Sequence, residues 1–339
     1  MAYKWGFVGT GRIIPRFMDG LLQVEDAIPA AIYGRSLEKA QHWANEYGMQ
    51  AYNDYDKFLD EADIDIMYMA LTHPLHREFT CKCLERKIPV LCEKPMGPNA
   101  AHEKDIIDCA KKNDTFLMEG MWTRMFPVTK QVMQWIKEGR IGDVVAMNGT
   151  FSIKTKAEPG DRLFAPEAAG GTLLDIGIYL VSFAHLLFER SPQDIVTLAN
   201  MGPFGTDDCT GIVFRYDKGE IATLLTCFKS EGRDAITIYG TDGMIEIFED
   251  FWRPRQAKLT CRDGIVDFDC PRNYRDGSVY GADVSFRGDG YQFEVAHIHD
   301  CLDKGLKESP FITHQQSLDI ITTCDRIRQQ WGLVFPFEK

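Results

Sequence analysis

The chain lacks any Cys-x-x-Cys pair. Its ten cysteines, at 81, 83, 92, 109, 209, 227, 261, 270, 301 and 324, follow no recurring spacing. That scatter argues against a zinc ribbon, a thioredoxin motif or a disulfide framework and reads as reduced thiols. No basic n-region with an apolar stretch opens the sequence, and no apolar run approaches the roughly 18 residues of a membrane helix. Basic charge is also short, with 38 Lys and Arg against 50 Asp and Glu, a formal charge of −12. The mean field therefore repels phosphate backbones and argues against a nucleic-acid partner. The expectation is a cytoplasmic protein with no nucleic-acid and no membrane partner. Internal repeats and low-complexity linkers are likewise missing. What is present is globular: 45% hydrophobic and 26% charged residues over 339 positions, or about two domains at roughly 150 residues each.

The first third alternates short apolar runs with helix-like stretches, the pattern of a parallel sheet wrapped by crossover helices. Strands are expected at 5–8, 30–33, 51–52, 64–70, 90–92 and 116–119, giving a doubly wound Rossmann domain over 1–120. The rhythm then changes. Helices at 127–137 and 173–188 accompany strands at 144–153, 195–199, 211–216, 221–228, 235–239 and 244–248. Turns at 217–219 and 241–243 mark hairpins. This predicts an α+β domain over 121–339 with an open, largely antiparallel sheet. Helices at 291–303 and 315–330 finish the chain, the last able to pack back on the first domain.

Gly9-Thr10-Gly11 lies between the first strand and a periodic segment that begins Arg12-Ile13. That context turns a glycine pair into a candidate pyrophosphate site at a helix N-terminus. The third position of the motif is Ile14 rather than a small residue, and Gly6, inside the strand, is expected to relieve part of the crowding. A glycine turn without ligand is the plain alternative. At the end of the second strand an NAD site usually carries an acid. Here Gly34-Arg35-Ser36 stands there with Lys39 one turn on, so Arg35 and Lys39 are read as partners of a 2′-phosphate. NADP is preferred over NAD, against the alternative that Arg35 is a solvated charge.

Glu93-Lys94-Pro95 follows the fifth strand, at the edge where this architecture opens its crevice. Asp175 and Tyr179, four residues apart near the start of an apolar helix, share a face and need polar partners. A core tyrosine capped by backbone is the alternative for Tyr179. His297 and His299 point about 200° apart on a helix, which argues against a metal.

Through Gly6-Phe7-Val8-Gly9-Thr10-Gly11, Glu93-Lys94-Pro95 and the run from Gly170-Gly171-Thr172 to Asp175-Ile176-Gly177-Ile178-Tyr179, the chain resembles the glucose-fructose oxidoreductase, inositol dehydrogenase and MocA family. Thr72-His73-Pro74-Leu75-His76, Met118-Glu119-Gly120-Met121-Trp122 and Lys304-Gly305-Leu306-Lys307 extend the likeness, toward the branch of dimeric dihydrodiol dehydrogenases, also described as NADP-linked D-xylose 1-dehydrogenases. The resemblance implies that Lys94, Asp175 and Tyr179 sit beside the nicotinamide and that Arg35 meets the 2′-phosphate. It places Thr72, His73, His76 and Glu93 in the cofactor pocket. It makes Trp122, Phe151 and Trp252 substrate walls, and implies a homodimer through the open sheet.

On this reading an NADP-dependent oxidoreductase acts on the CH–OH of a sugar or vicinal diol. Tyr179 takes the hydroxyl proton, its pKa lowered by Lys94, with the two roles exchangeable, while Asp175 orients substrate or Lys94. Two alternatives stand: an NADPH-dependent reductase of an anhydro sugar or dicarbonyl, and a non-catalytic NADP-binding regulator. Loops 154–164 and 272–287 are expected to shape the pocket.

Overall fold

A computed structural model describes residues 2–261, 264–269 and 288–339. Cys270 and the 272–287 loop lie outside the described residues. Strands β1 (Tyr3–Val8), β2 (Ala27–Tyr33), β3 (Gln50–Tyr52), β4 (Ile66–Met69), β5 (Val90–Glu93) and β6 (Leu117–Gly120) form a wholly parallel sheet in the order β3-β2-β1-β4-β5-β6. Helices α1 (Ile13–Leu21), α2 (Leu37–Tyr47), α3 (Tyr55–Glu61), α4 (His76–Glu85) and α5 (Ala100–Asn113) make the crossovers. Because strands alternate their side chains, the sheet buries two cores. Val8, Met67, Val90 and Leu117 face one side, while Phe7, Tyr68, Leu91 and Met118 face the other, in a core that runs on into the second domain. Local chemistry sets the helix ends: Ser36, Asp54 and Asn99 cap α2, α3 and α5, and Gly48 closes α2 in the left-handed region.

The chain continues through α6 (Pro127–Lys137), β7 (Val144–Ser152), α7 (Ile178–Phe188), β8 (Asp194–Met201), β9 (Asp207–Arg215), β10 (Ile221–Cys227), β11 (Ile236–Gly240), β12 (Gly243–Ile247), β13 (Gln256–Cys261) and β14 (Gly264–Asp269). The eight strands run in the order β14-β13-β12-β11-β7-β10-β9-β8, and every neighbouring pair is antiparallel except β7 with β10. The sheet exceeds the expected six strands by β13 and β14, which the apolar pattern does not reveal because β13 is interrupted by Lys258 and Thr260. One face packs on α7, and Gly149 lets Leu180 approach to 2.7 Å of where a Cβ would stand. The other face is open.

Two expectations about the apolar helix need correction. Residues Leu173–Gly177 form a π-helical turn that leads into α7, rather than one α-helix over 173–188. The segment Pro166–Phe188 is also long and apolar enough by composition to cross a membrane, with mean hydropathy 1.6. Within the fold 89% of its most apolar stretch is buried, so it serves here as a core helix.

Helices α8 (Gln292–Asp303) and α9 (His314–Gln329) return to the first domain. On α8, Tyr3 donates to Asp303 (2.8 Å); on α9, Ser317 donates to Glu119 (2.7 Å) and Asp325 accepts from the Ala100 N–H (2.9 Å). His297 meets Ser309 at 2.8 Å, whereas His299 meets Trp5 and Asp26, so the two imidazoles serve different neighbours.

Candidate active site

A cleft of about 1080 Å³ opens at the carboxyl ends of β1, β4 and β5, where the strand order reverses, and the second domain forms its far wall. At its deep end Gly9 holds φ +114°, and a Cβ there would lie 2.3 Å from the Ala70 carbonyl oxygen, so only glycine fits. A Cβ on Gly11 would meet nothing within 4 Å; its backbone faces open space. Arg12 gives α1 no side-chain cap, and Thr10, Gly11, Arg12 and Ile13 all line the cleft. This is a cradle for a pyrophosphate at a helix N-terminus. Gly6 does not relieve Ile14 as expected. The space above Gly6 is taken by Ile64 and Met67 at 3.1 Å, while Ile14, in the first turn of α1, is fully buried in the core.

At the outer end of this half, Arg35 and Lys39 are exposed, and neither makes an ion pair among the described residues. Ser36 is already engaged, its hydroxyl accepting from the Lys39 N–H that starts α2. Thr72 and His73 line the cleft. His73 is buried with Nδ1 unpartnered, and burial, aided by His76, Lys94 and Arg162, holds its pKa well below the ordinary imidazole value. A neutral ring with an orphaned nitrogen fits a hydrogen-bonding dinucleotide. His76 corrects the sequence reading. It is wholly buried beneath the cleft, with Nδ1 3.1 Å from the Pro95 carbonyl and Nε2 3.1 Å from that of Leu71, and it ties together the backbone segments that carry Thr72 and Lys94.

Lys94, Asp175 and Tyr179 converge. The Lys94 Nζ donates to the Asp175 backbone carbonyl at 2.5 Å, lies 3.9 Å from Asp175 Oδ1, and stands 4.7 Å over the centre of the Tyr179 ring. The ammonium therefore faces the ring and not the hydroxyl, so the expectation that Lys94 lowers the Tyr179 pKa is not met. Burial, with Glu93 and Asp175 adding repulsion, pushes Tyr179 well above the ordinary phenol value, against a hydrogen bond from Trp122. Burial lowers Lys94, against the attraction of Asp175 and Glu93. Glu93 in turn accepts from Tyr68 at 2.5 Å and is raised by burial.

Trp122 lines the cleft and is held in place there. Its Nε1–H donates to the Tyr179 hydroxyl at 2.9 Å, and its ring stacks on Tyr291 at 4.2 Å and 4°. Phe151 and Trp252 stack at 4.1 Å and 10° and both line the cleft. Within the 154–164 loop, Glu158 to Leu163 border the cleft, and Arg162 reaches Asp175 at 3.2 Å.

Sequence reasoning missed the groups that support this arrangement. Buried Asp207 accepts from Thr172 Oγ1 (2.6 Å), Leu173 N (2.8 Å) and Thr210 Oγ1 (3.0 Å), anchoring the π-turn, while a Cβ on Gly171 would come within 2.1 Å of its carboxylate. Glu119 and Glu103 accept from the backbone N–H groups of Met96 and Gly97, directly after Lys94-Pro95. Asp289 bridges Arg16 on α1 and Arg253 beside Trp252, so one carboxylate joins both sides of the cleft mouth. The flanking Gly288 and Gly290, both at positive φ, were the legible signal for that turn.

Comparison with known proteins agrees with this geometry. Residues 3–121 match the oxidoreductase family with an NAD-binding Rossmann fold, and residues 129–246 match the GFO/IDH/MocA C-terminal domain. The chain is 32% identical over 343 residues to the trans-1,2-dihydrobenzene-1,2-diol dehydrogenase of Xenopus tropicalis, covering 99% of this chain and 100% of the relative. Its fold is similar to that of a 3-ketoreductase from Actinomadura kijaniata solved with NADP and TDP-benzene (TM-score 0.82, 21% identity, 97% and 98% covered). It is also similar to a levoglucosan dehydrogenase solved with NADH and levoglucosan (TM-score 0.84, 18% identity, 98% of each chain).

Proposed function

The chain belongs to the GFO/IDH/MocA oxidoreductase family, and on that premise we propose that it is an NADP-dependent dehydrogenase acting on the CH–OH group of a sugar or vicinal diol, of the D-xylose or trans-dihydrodiol type. The observation that carries this reading is the meeting of Lys94 from the first domain with Asp175 and Tyr179 from the second in one cleft, beyond a glycine cradle that ends at Arg35 and Lys39. Arg35 and Lys39, just beyond β2 and without an ion pair among the described residues, stand where an NAD site places an acid, and favour a 2′-phosphate and hence NADP over NAD.

Bound NADP supplies the two-electron acceptor; the chain's own residues handle the proton. Lys94, its pKa lowered by burial, is the better acceptor for the substrate hydroxyl proton, and the Asp175 carbonyl fixes its direction. Tyr179 accepts from Trp122 and so keeps its own O–H free to donate to the substrate oxygen. The roles assigned from sequence are thereby exchanged. The Phe151–Trp252 stack offers an apolar wall for the carbon face of a sugar or diol ring.

The same reading includes a homodimer. On the open face of the second sheet Val196, Leu198, Val213 and Leu225 are exposed, Leu198 to 81%, and strand register groups them on the neighbouring strands β8, β9 and β10. An uncovered apolar sheet face of this kind calls for a partner surface.

The test is a substrate panel of aldoses, trans-diols and dicarbonyls, followed by nicotinamide absorbance with NADP, NAD and their reduced forms. NADP reduction by an aldose or diol is the expected result. Turnover confined to NADPH with dicarbonyls would favour the reductase reading. Tight NADP binding with no turnover would favour a regulator.

A further inference from the structure

Cys209 on β9 and Cys227 on β10 face each other directly across the antiparallel ladder. The neighbouring opposed pair is hydrogen-bonded, Phe228 N–H to Asp208 O at 2.8 Å, as is the pair at the far end, Tyr216 N–H to Glu220 O at 2.9 Å. Alternation then makes Cys209 and Cys227 a non-hydrogen-bonded pair, where facing Cα atoms approach to about 4.5 Å and side chains are nearest. That separation falls inside the roughly 4.4–6.8 Å window a disulfide spans. Both side chains lie on the open-face side of the sheet, at the end where β10 finishes; Cys209 is partly exposed, and Cys227 is buried to 7% exposure beside it.

The two sulfurs are also unequal. Cys227 Sγ accepts from the Lys229 backbone N–H at 3.3 Å. Burial raises its pKa, but donors from Lys229, Ser230 and Cys209 outweigh it and hold Cys227 below the ordinary thiol value, while burial and Cys227 push Cys209 up to about 11. One sulfur is a stabilised nucleophile and its neighbour a thiol ready to resolve.

We infer that Cys209 and Cys227 form a reversible dithiol–disulfide site, oxidised by small hydroperoxides and separate from the active-site cleft. The Cys227 thiolate attacks the terminal peroxide oxygen. An S–O bond forms, the O–O bond breaks, and the alkoxide or hydroxide leaves with the thiol proton. Cys209 sulfur then attacks Cys227 sulfur, forming S–S and breaking S–O, and hydroxide departs as water with the Cys209 proton. Two thiols and one hydroperoxide give one disulfide, one alcohol and one water.

The experiment uses the reduced full-length chain treated with hydrogen peroxide, alkylated with iodoacetamide and mapped by non-reducing peptide mass spectrometry. The expected result is a linked peptide pair joining Cys209 to Cys227, with loss of alkylation at both, reversed by dithiothreitol. Dimedone capture at Cys227 in Cys209→Ser is the second expected readout, and it tests the order of attack without requiring a disulfide. Cys209 and Cys227 both recovered as alkylated thiols in the wild type, or Cys227 linked to a different cysteine, overturns the inference. None of these readouts depends on which substrate the enzyme turns over.

Discussion

Burial moves Lys94 and Tyr179 apart, the amine down and the phenol up, which favours the amine as proton acceptor in the proposed reaction. On that assignment the neutral amine is the active form, and kcat/KM for oxidation should rise with pH along a limb centred below the ordinary lysine value of about 10.4. Lys94→Met should abolish that limb together with turnover. Tyr179→Phe should leave the NADP Kd unchanged and lower kcat by about 10²-fold or more, the size of a lost acid–base or orienting group. At the other end of the cleft, Arg35→Ala removes a charge-assisted pair worth about 1.5–3 kcal/mol. Isothermal titration should show the NADPH Kd rising roughly 10- to 100-fold, while the NADH Kd hardly moves. Arg35 and Lys94 were legible in the sequence because each follows a strand end, whereas Tyr179, on one helix face with Asp175, was assigned to the site by the family resemblance. His76 occupied a suitable place in the sequence, yet its ring turned beneath the cleft, since only tertiary packing says which carbonyls surround an imidazole.

Among the elements, the π-turn Leu173–Gly177 carries the greatest consequence, because it presents Asp175 to Lys94 and delivers Tyr179 at the start of α7. A segment apolar on all sides has no moment from which to read its pitch, so the sequence suggested an ordinary α-helix. The turn is held from outside by Asp207, one helix and one strand further along the chain at the start of β9. Asp207→Ala would orphan the Leu173 N–H and leave the Thr172 and Thr210 hydroxyls only their weaker bonds to each other and to Thr226, costing roughly 1–3 kcal/mol. Urea unfolding should report that loss, and kcat should fall with it, while cofactor affinity, set in the other domain, should hold. No local pattern marks Asp207, whose three partners are assembled only once β9 lies against the start of α7.

For the molecule as a whole, two forces remain to be balanced. The open face of the second sheet exposes Val196, Leu198, Val213 and Leu225 on three neighbouring strands, and if the proposed dimer forms there, Leu198→Asp at the most exposed of them should shift the particle to monomer in light scattering with the fold retained. The interior responds to acid. His185 on α7 is buried against Thr323 of α9 at 2.9 Å, and burial, with Arg124 and Arg326 nearby, lowers its pKa to about 3. The unfolded chain takes up a proton near pH 6.5 and the native one does not, so stability should fall as pH drops from about 6.5 toward 3. The slope is about 1.4 kcal/mol per pH unit from this group, and is flattened in His185→Gln.

The two-domain layout, the parallel nucleotide-binding sheet, the glycine cradle and Arg35 could be read from the sequence, because they rest on local spacing and short-range turn chemistry, while Lys94, Asp175 and Tyr179 were singled out by their motifs and placed together by the family resemblance. Tertiary structure alone decided that Trp122 serves Tyr179, that Asp207, Glu103 and Glu119 hold the backbone of the site, and that burial shifts Lys94 and Tyr179 in opposite directions. Those outcomes depend on burial and on partners distant in the chain, and desolvation is a property of a folded surrounding that no linear pattern contains.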